Sequence, residues 1–168
     1  MLYDYTKKQY VHVNTGSIVE TYEEINYLFS LEKYKSQLKK IWEESEIRIA
    51  DKFKSQILSE LNNLPEHLSV SRPAKRVPWG ILIPNDDQTI YVWVDALINY
   101  YTALGYPDTQ PDANNEFTNI VHVLGKDIMR FHALIWPSLL LANKCPLPKE
   151  LVTHNFWLMK NVSWVLSC

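Results

Sequence analysis

Apolar positions along the chain follow two rhythms, and the change from one to the other divides it. Ile25, Leu28, Phe29, Tyr34, Leu38, Ile41 and Trp42 recur at helical spacing, which predicts one amphipathic helix over about residues 22 to 45. Thr21, with Glu24 three residues later, reads as a capping box at its start. A second helical pattern runs through Ile49, Phe53, Ile57, Leu61 and Leu64 and stops at Pro65, which has no amide hydrogen and disfavours helix in the residue before it. Together they predict a helical hairpin or elbow. Residues 1 to 20 are polar and aromatic with a Thr15-Gly16 turn, and fit either a strand pair or a loose lead-in.

From Ser69 the rhythm becomes β. Two apolar segments flank an Asn85-Asp86-Asp87 turn and predict a hairpin whose second strand, Thr89 to Val94, runs into Asp95 as the N-cap of a short helix through Leu97, Ile98, Tyr100 and Tyr101, closing at Gly105. Residues 106 to 117 form a polar connection. The most informative stretch, 118 to 137, reads TNIVHVLGKDIMRFHALIWP. Ile120, Val121, Val123 and Leu124 form the continuous apolar run of a parallel strand covered on both faces. Gly125 permits a sharp turn, Asp127 is placed to cap the next helix, and Pro137 interrupts that helix near Ala133. Another strand is expected from about Leu151 to Leu158. A strand, tight turn and helix in this order predict an α/β unit whose ligands collect at the carboxyl end of the strand. Asp127 then reads equally as a cap or as an acceptor for a ribose hydroxyl or an ammonium.

Composition narrows the classes. The 168 residues are 46% hydrophobic and 12% aromatic, enough for one globular domain with a sizeable core. Lys plus Arg number 17 against 19 Asp plus Glu, a net charge of -2, so no global basic field points to nucleic acid, and an RNA partner needs a local patch. Cys145 and Cys168 form no CxxC pair, which argues against a structural zinc site or a disulfide framework and for a reducing compartment. No apolar run approaches the ~18 residues of a membrane span, and MLYDYTKKQY lacks the apolar core of a signal peptide.

Taken singly, the chemically interesting residues have structural readings beside functional ones. Phe131, His132, Ile135 and Trp136 form an aromatic cluster that reads as core before pocket. Trp93 and Tyr100, seven apart, serve either to line one cavity or as packing anchors. Arg72 and Arg76 flank Lys75 in a loop, where they grip an anion or simply face solvent. His122 and His154 read as satisfied core or edge histidines rather than metal ligands. No P-loop, GxGxxG or Ser-His-Asp order occurs.

Several stretches acquire meaning in combination: TGSIVE, EEINYLFSLEKYKSQL, LSVSRPAKRVPWGILIP, TIYVWVDALINYYTALGYP, VLGKDIMRFHALIWPSLLLA and VTHNFWLMKN. In this order they resemble the methionyl-tRNA synthetases, class I aminoacyl-tRNA synthetases, and most of all their bacterial and mitochondrial branch. The resemblance covers about Val13 to Asn161. It implies an α/β fold, the second half of a Rossmann-type nucleotide-binding catalytic domain, preceded by the end of a connective insertion and a helical hairpin. The corresponding divisions are residues 1–20 for the insertion, 21–66 for the helical segment, 67–161 for the half-domain and 162–168 for an atypical end.

The resemblance also implies a reaction, the ATP-dependent attachment of methionine to tRNA through methionyl-adenylate, with Mg2+ accompanying ATP. Trp93, Ala96, Tyr100, Phe131, His132 and Trp136 match positions lining the family's methionine pocket, while Leu97 stands where some members carry proline. Gly125 and Asp127 match the pair that holds the adenosine ribose, and His154 opens toward the adenine site. Arg72, in SVSR, matches an arginine associated with methionine activation and is the expected catalytic position. The implied partners are methionine, ATP and the methionine tRNA. No zinc and no membrane are expected, and the mitochondrial matrix is the expected location, with the cytoplasm as alternative.

The chain departs from the family pattern in two ways. It carries neither an HIGH-type motif nor a KMSKS loop, and after Asn161 it reads VSWVLSC. Losing even one pre-placed donor around the reacting phosphate costs ~10²-fold to 10³-fold in rate, so the isolated chain is expected to be a catalytically incompetent fragment. The competing expectation is a non-catalytic truncated product acting as a binding or interaction module, since half a Rossmann sheet leaves an unpaired edge that favours self-association. Another class I synthetase for an apolar amino acid is disfavoured by the set Trp93, Tyr100 and His132.

Overall fold

The computed structural model describes residues 2–4, 9–12, 15–19, 23–111, 116–158 and 165–166. Near the start, β1 (Leu2–Asp4) and β2 (Gln9–Val11) pair antiparallel, choosing the strand pair over the loose lead-in. Gly16, at φ 65°, makes the turn beside them. The expected helix over 22 to 45 is shorter. Leu28–Ser30 form β3, pairing antiparallel with β4 (His67–Ser69), and only Glu32–Glu43 are helical, as α1. Pairing with a strand beyond the second helix overrides the helical spacing of Ile25, Leu28 and Phe29, and Ile25 is left 90% exposed. Thr21 lies outside the described residues, and Glu24 bonds to Arg76 instead of closing a capping box. The second helix, α2 (Asp51–Asn62), ends before Pro65 as its sequence requires.

The predicted hairpin forms as β5 (Ser71–Pro73) against β6 (Gln88–Ile90), with Asn85 in the turn at φ 59°. Its second strand is shorter than expected. Ser71 pairs with Ile90, Tyr91 is the last extended residue, and α3 (Val92–Thr102) begins at once. Trp93 and Val94 are therefore helical, and Asp95 sits in the first turn rather than at the cap.

The opening unit of the sequence reading is β7 (Val121–Gly125), parallel to β8 (Glu150–His154), with a helical run between them. The parallel pairing is as expected; the cover on both faces is not. His122 and Leu124 are buried, but Val123 is 73% exposed and Val121 and Val152 are exposed beside it. The strand expected to reach Leu158 stops at His154, and Trp157–Leu158 (β9) pair instead with Val165–Leu166 (β10).

Pro137 acts where predicted, and through a particular geometry. The run from Met129 to Ala142 opens into a π-turn at Phe131–Ile135 before resuming as α4 (Trp136–Ala142). Proline has no N–H, so the Ala133 carbonyl four residues back loses its α-helical donor. The indole Nε1 of Trp42 on α1 donates to that carbonyl at 3.0 Å, and the Ser138 hydroxyl donates to the Leu134 carbonyl at 2.7 Å. Around this junction Leu38, Ile41 and Trp42 of α1, Phe53, Ile57 and Leu61 of α2, Leu124 of β7 and Leu151 of β8 form one apolar core. Leu97, Tyr101, Phe117, Ile135, Trp136 and Leu140 form a second cluster between α3 and the interrupted helix. The hairpin of α1 and α2 thus shares its core with the α/β unit.

His122 corrects a further expectation. It is buried, as a core histidine should be, but its Nε2 has no hydrogen-bond partner among the described residues. Burial, reinforced by His132, pushes it down to about 4 from 6.5. The unfolded chain therefore binds the extra proton between those values, and its share of stability, complete above pH ~6.5, is lost as pH falls toward ~4.

Two outcomes follow for unfolding measured in urea. Trp42→Phe leaves the Ala133 carbonyl buried and unpaired and is expected to cost about 2–4 kcal/mol. His122→Phe removes an unpaired nitrogen and its acid liability. The variant is expected to lose less stability than the parent between pH 6.5 and 4, the difference reaching at most about 3 kcal/mol.

Candidate amino-acid and nucleoside site

The π-turn determines which side chains meet α3. In an α-helix residues five apart point ~140° away from one another, whereas an i to i+5 hydrogen bond brings them into line. That bond runs from the Trp136 N–H to the Phe131 carbonyl, and both side chains reach α3. Phe131 stacks on Trp93 with centroids 3.8 Å apart and planes within 9°. Trp136 packs 6.2 Å from Tyr100 and 5.2 Å from Tyr101. The cluster is core and wall at once: Trp136 is buried, while Phe131, Trp93 and Tyr100 are half-buried.

His132 lies between them with a determined hydrogen-bond direction. Its Nδ1 is 3.1 Å from the Ile128 carbonyl, which only accepts, so Nδ1 carries the proton. Nε2 is then a lone pair, and the Tyr100 hydroxyl donates to it at 2.7 Å. Burial holds His132 below its usual range despite the Ile128 carbonyl, and raises Tyr100 above its own. At neutral pH the pair is uncharged. A cavity of about 360 Å³ opens beside it, lined by Asn99, Tyr100, His122, Ile128 and His132 among others. Its walls hold no charged residue. Trp93, Ala96 and Tyr100 stand at i, i+3 and i+7 on α3, one face, and the exposed Ala96 marks where that face meets solvent.

A second, polar group forms at the carboxyl end of the two parallel strands. Gly125 and His154 are register partners, and Asp127 follows in the turn. Gly125 contributes room rather than an unusual backbone angle, since a Cβ there would stand 2.5 Å from Asp127 Oδ1 and 3.6 Å from His154 Cε1. Asp127 is not the expected cap. The helix begins two residues later, and the exposed Asp127 carboxylate takes no hydrogen bond from the described residues. It lines a hollow of about 330 Å³ with Ser59, Glu60, Asn63, Lys126 and Arg130. Ile128 connects the two groups, three residues from Gly125 and bonded to His132.

Arg72 stands apart from both. Its guanidinium lies over the Tyr91 ring, 4.4 Å from the centroid, and donates to Ser69 Oγ at 2.7 Å and to the Ser71 carbonyl at 2.6 Å. It lines a separate cleft with Tyr91 and Asp95. The structure thus brings together Trp93, Tyr100, Phe131, His132 and Trp136, and separately Gly125, Asp127 and His154, with Arg72 in neither set. Sequence reasoning missed His122 and Ile128 as parts of the site. His122 meets Tyr100 at 4.4 Å and His132 at 5.3 Å. Its alternation within β7, inward beside an outward Val121 and Val123, was the available signal.

The sequence model for tRNA synthetases class I (M) matches residues 8–164. The probable mitochondrial methionine–tRNA ligase of Neurospora crassa is 44% identical over 161 residues, covering 93% of this chain and 26% of that protein. The methionine–tRNA ligase of Rickettsia conorii is 41% identical over 146 residues, 85% of this chain and 28% of that one. The chain spans about a quarter of the length of these relatives. Among solved structures, Mycobacterium tuberculosis methionyl-tRNA synthetase bound by methionyl-adenylate superposes with a TM-score of 0.76 at 32% identity, over 93% of this chain and 32% of that one. The fold is therefore that of an α/β, Rossmann-type class I catalytic domain. Matched along nearly its whole length, the chain belongs to the class I tRNA synthetases (M).

Proposed function

We propose that this chain is the amino-acid- and nucleoside-holding part of an ATP-dependent methionine–tRNA ligase. The observation that carries the reading is the uncharged Tyr100–His132–Ile128 hydrogen-bond chain inside an aromatic wall. A methionine side chain is unbranched, polarizable and nearly apolar, and it gains from ring contacts while requiring few polar anchors. Trp93, Ala96, Tyr100, Phe131, His132 and Trp136 are the proposed methionine wall. A neutral imidazole matters here because a charged one would favour an anionic side chain over a thioether.

Gly125, Asp127 and His154 are the proposed adenosine side. Among the described residues nothing engages the Asp127 carboxylate oxygens, which leaves them for ribose hydroxyls, and Gly125 keeps the space above it clear. In the proposed reaction the methionine carboxylate attacks the α-phosphorus of ATP and pyrophosphate leaves. A terminal ribose hydroxyl of the tRNA then attacks the acyl carbon, releasing AMP. Arg72 is assigned to methionine activation through the family resemblance; what supports it is a guanidinium already fixed by Ser69, Ser71 and Tyr91. Among the described residues no group of three His, Cys, Asp or Glu is placed to hold a metal, so magnesium enters this scheme as part of the Mg·ATP substrate.

The proposed divisions are 1–20, the end of a connective insertion; 21–66, the helical segment; 67–161, the half-domain; and 162–168, an atypical end. The name of the Neurospora relative supports a mitochondrial location, and the Rickettsia relative supports a bacterial-type cytoplasm as the alternative. A second reading, an interaction module without catalysis, is favoured by the exposed Val121, Val123 and Val152 on one sheet face, which also favours self-association.

Methionine at ~100 times its Kd is expected to stabilise the chain by about 2.7 kcal/mol, raising Tm by roughly 5–10 °C. Leucine and valine should shift it by less than about 1 °C; equal protection by all three would sink the methionine reading. Asp127→Asn should weaken adenosine binding by about 10-fold to 100-fold in calorimetry while leaving Tm unchanged, because the carboxylate is exposed.

A further inference from the structure

The two edges of the parallel strand pair are finished differently. On the β8 side, Leu151 donates to the Arg48 carbonyl at 2.8 Å and Arg48 donates to the Lys149 carbonyl at 3.1 Å, while the Arg48 side chain holds Glu150 at 3.0 Å. That edge is closed and charged. On the β7 side no further strand pairs among the described residues. The flanking bonds set the direction of the backbone there: the Ile120 carbonyl accepts from Lys149 at 2.8 Å, and the Lys126 amide donates to the His154 carbonyl at 3.0 Å. Even-numbered residues therefore turn their amides and carbonyls toward β8, and Val121, Val123 and Gly125 turn theirs outward. Neither Val121 nor Val123 makes a backbone bond outside the sheet among the described residues.

Nothing on this edge discourages pairing. Proteins blunt exposed strands with a lysine, a proline, a bulge or a covering element, yet the run from Asn119 to Gly125, NIVHVLG, carries no charged residue and no proline. Parallel sheets are ordinarily buried on both faces, whereas Val121, Val123 and Val152 are exposed together. Along the same edge lies the cavity of about 360 Å³ between β7 and α3, lined by Ala103, Leu104, Val121 and Val123 among others, with no charge in its walls.

The edge suits a second copy of itself. A two-fold axis at Val123 pairs the strands antiparallel, so that Val123 meets Val123 with two exchanged backbone bonds and Val121 meets Gly125 on either side. Gly125 has no side chain to crowd that valine. The same register sets Lys126 against Ile120 and Asp127 against Asn119, so no like charges meet. An axis at His122 or Leu124 fails, because their backbone groups are turned to β8.

We propose that two copies of this chain associate through the β7 edge, antiparallel about Val123, into one four-stranded sheet ordered β8-β7-β7-β8 whose central strands also roof the neutral cavity beside α3. The proposal rests on the self-association reading above, to which it gives a surface and a register, and is independent of what the aromatic wall holds.

Sedimentation velocity on the chain at about 1 to 200 µM is expected to show a species of twice the 19.7 kDa chain mass growing with concentration. Val123→Lys sets a charge at the axis against its own copy and should weaken association by at least about 100-fold. Val152→Lys, on the same face but one strand removed from the axis, should weaken it by no more than about 5-fold. Both valines are exposed, so neither lysine disturbs the core. In hydrogen exchange the Val121 and Val123 amides should slow by at least about 10-fold from the monomer to the dimer range, and stay fast in Val123→Lys. A parent chain that remains monomeric, or grows past the dimer, overturns the proposal. So do association by Val123→Lys as tight as the parent's, equal loss from both lysines, which would mean face packing, and amides that do not slow. Methionine protection of a chain that stays monomeric removes this inference alone. A dimer broken by Val123→Lys in a chain that methionine does not protect removes the amino-acid assignment and leaves the interface standing.

Discussion

The hydrogen bond from the Trp42 indole to the Ala133 carbonyl is the constraint on which the pocket depends. Pro137 deprives that carbonyl of its helical donor, and an unpaired carbonyl at a buried alanine would favour either a broken helix or a different packing of α1. Trp42 removes both options. With the carbonyl satisfied from outside, the helix can hold its π-turn, and the π-turn aligns Phe131 with Trp136 so that each reaches α3. One side chain on the hairpin, far in sequence from the aromatic cluster, thereby sets the direction of two of its rings.

Within those walls the polar groups form a short directed chain rather than a set of independent donors. The Ile128 carbonyl fixes the proton on His132 Nδ1, which makes Nε2 an acceptor and turns the Tyr100 hydroxyl toward it. Each step is determined by the one before, so the group adopts a single uncharged arrangement. Burial, lowering His132 and His122 and raising Tyr100, reinforces the same state. The arrangement has a cost in the His122 Nε2 and Trp136 Nε1 atoms, which are buried without hydrogen-bond partners among the described residues.

Local patterns in the chain were legible wherever local physics decided them. The Pro65 stop of α2, the Asn85 turn, the parallel strand before Gly125 and the interruption ahead of Pro137 all follow from residues within a few positions of one another. The failures share a cause. Leu28 and Phe29 carry helical spacing but are claimed by strand β4 some forty residues on, and Trp93 continues the apolar pattern of a strand whose pairing has already ended at Ser71. The aromatic cluster was visible as residues without its arrangement, because the i to i+5 bond that aligns Phe131 with Trp136 leaves no spacing signature of its own. Asp127 was legible as a residue of two possible uses, and the freedom of its carboxylate, visible only in three dimensions, favours the ligand use over the cap.

The short first turn of α3 links the outer cleft to the aromatic cluster. Tyr91 is extended and stacks under Arg72, Val92 and Asp95 line the outer cleft, and Trp93 turns inward onto Phe131. Successive residues of a helix point ~100° apart, so one turn suffices to present side chains to the outer cleft and to the aromatic cluster without any connecting segment. The abrupt passage from β6 to α3, which the sequence pattern obscured, is what makes this possible. A strand extended to Val94 would have carried Trp93 away from Phe131 and left the outer cleft without its inner wall. The hairpin register that ends at Ile90 is therefore as much a determinant of the site as the aromatic residues themselves.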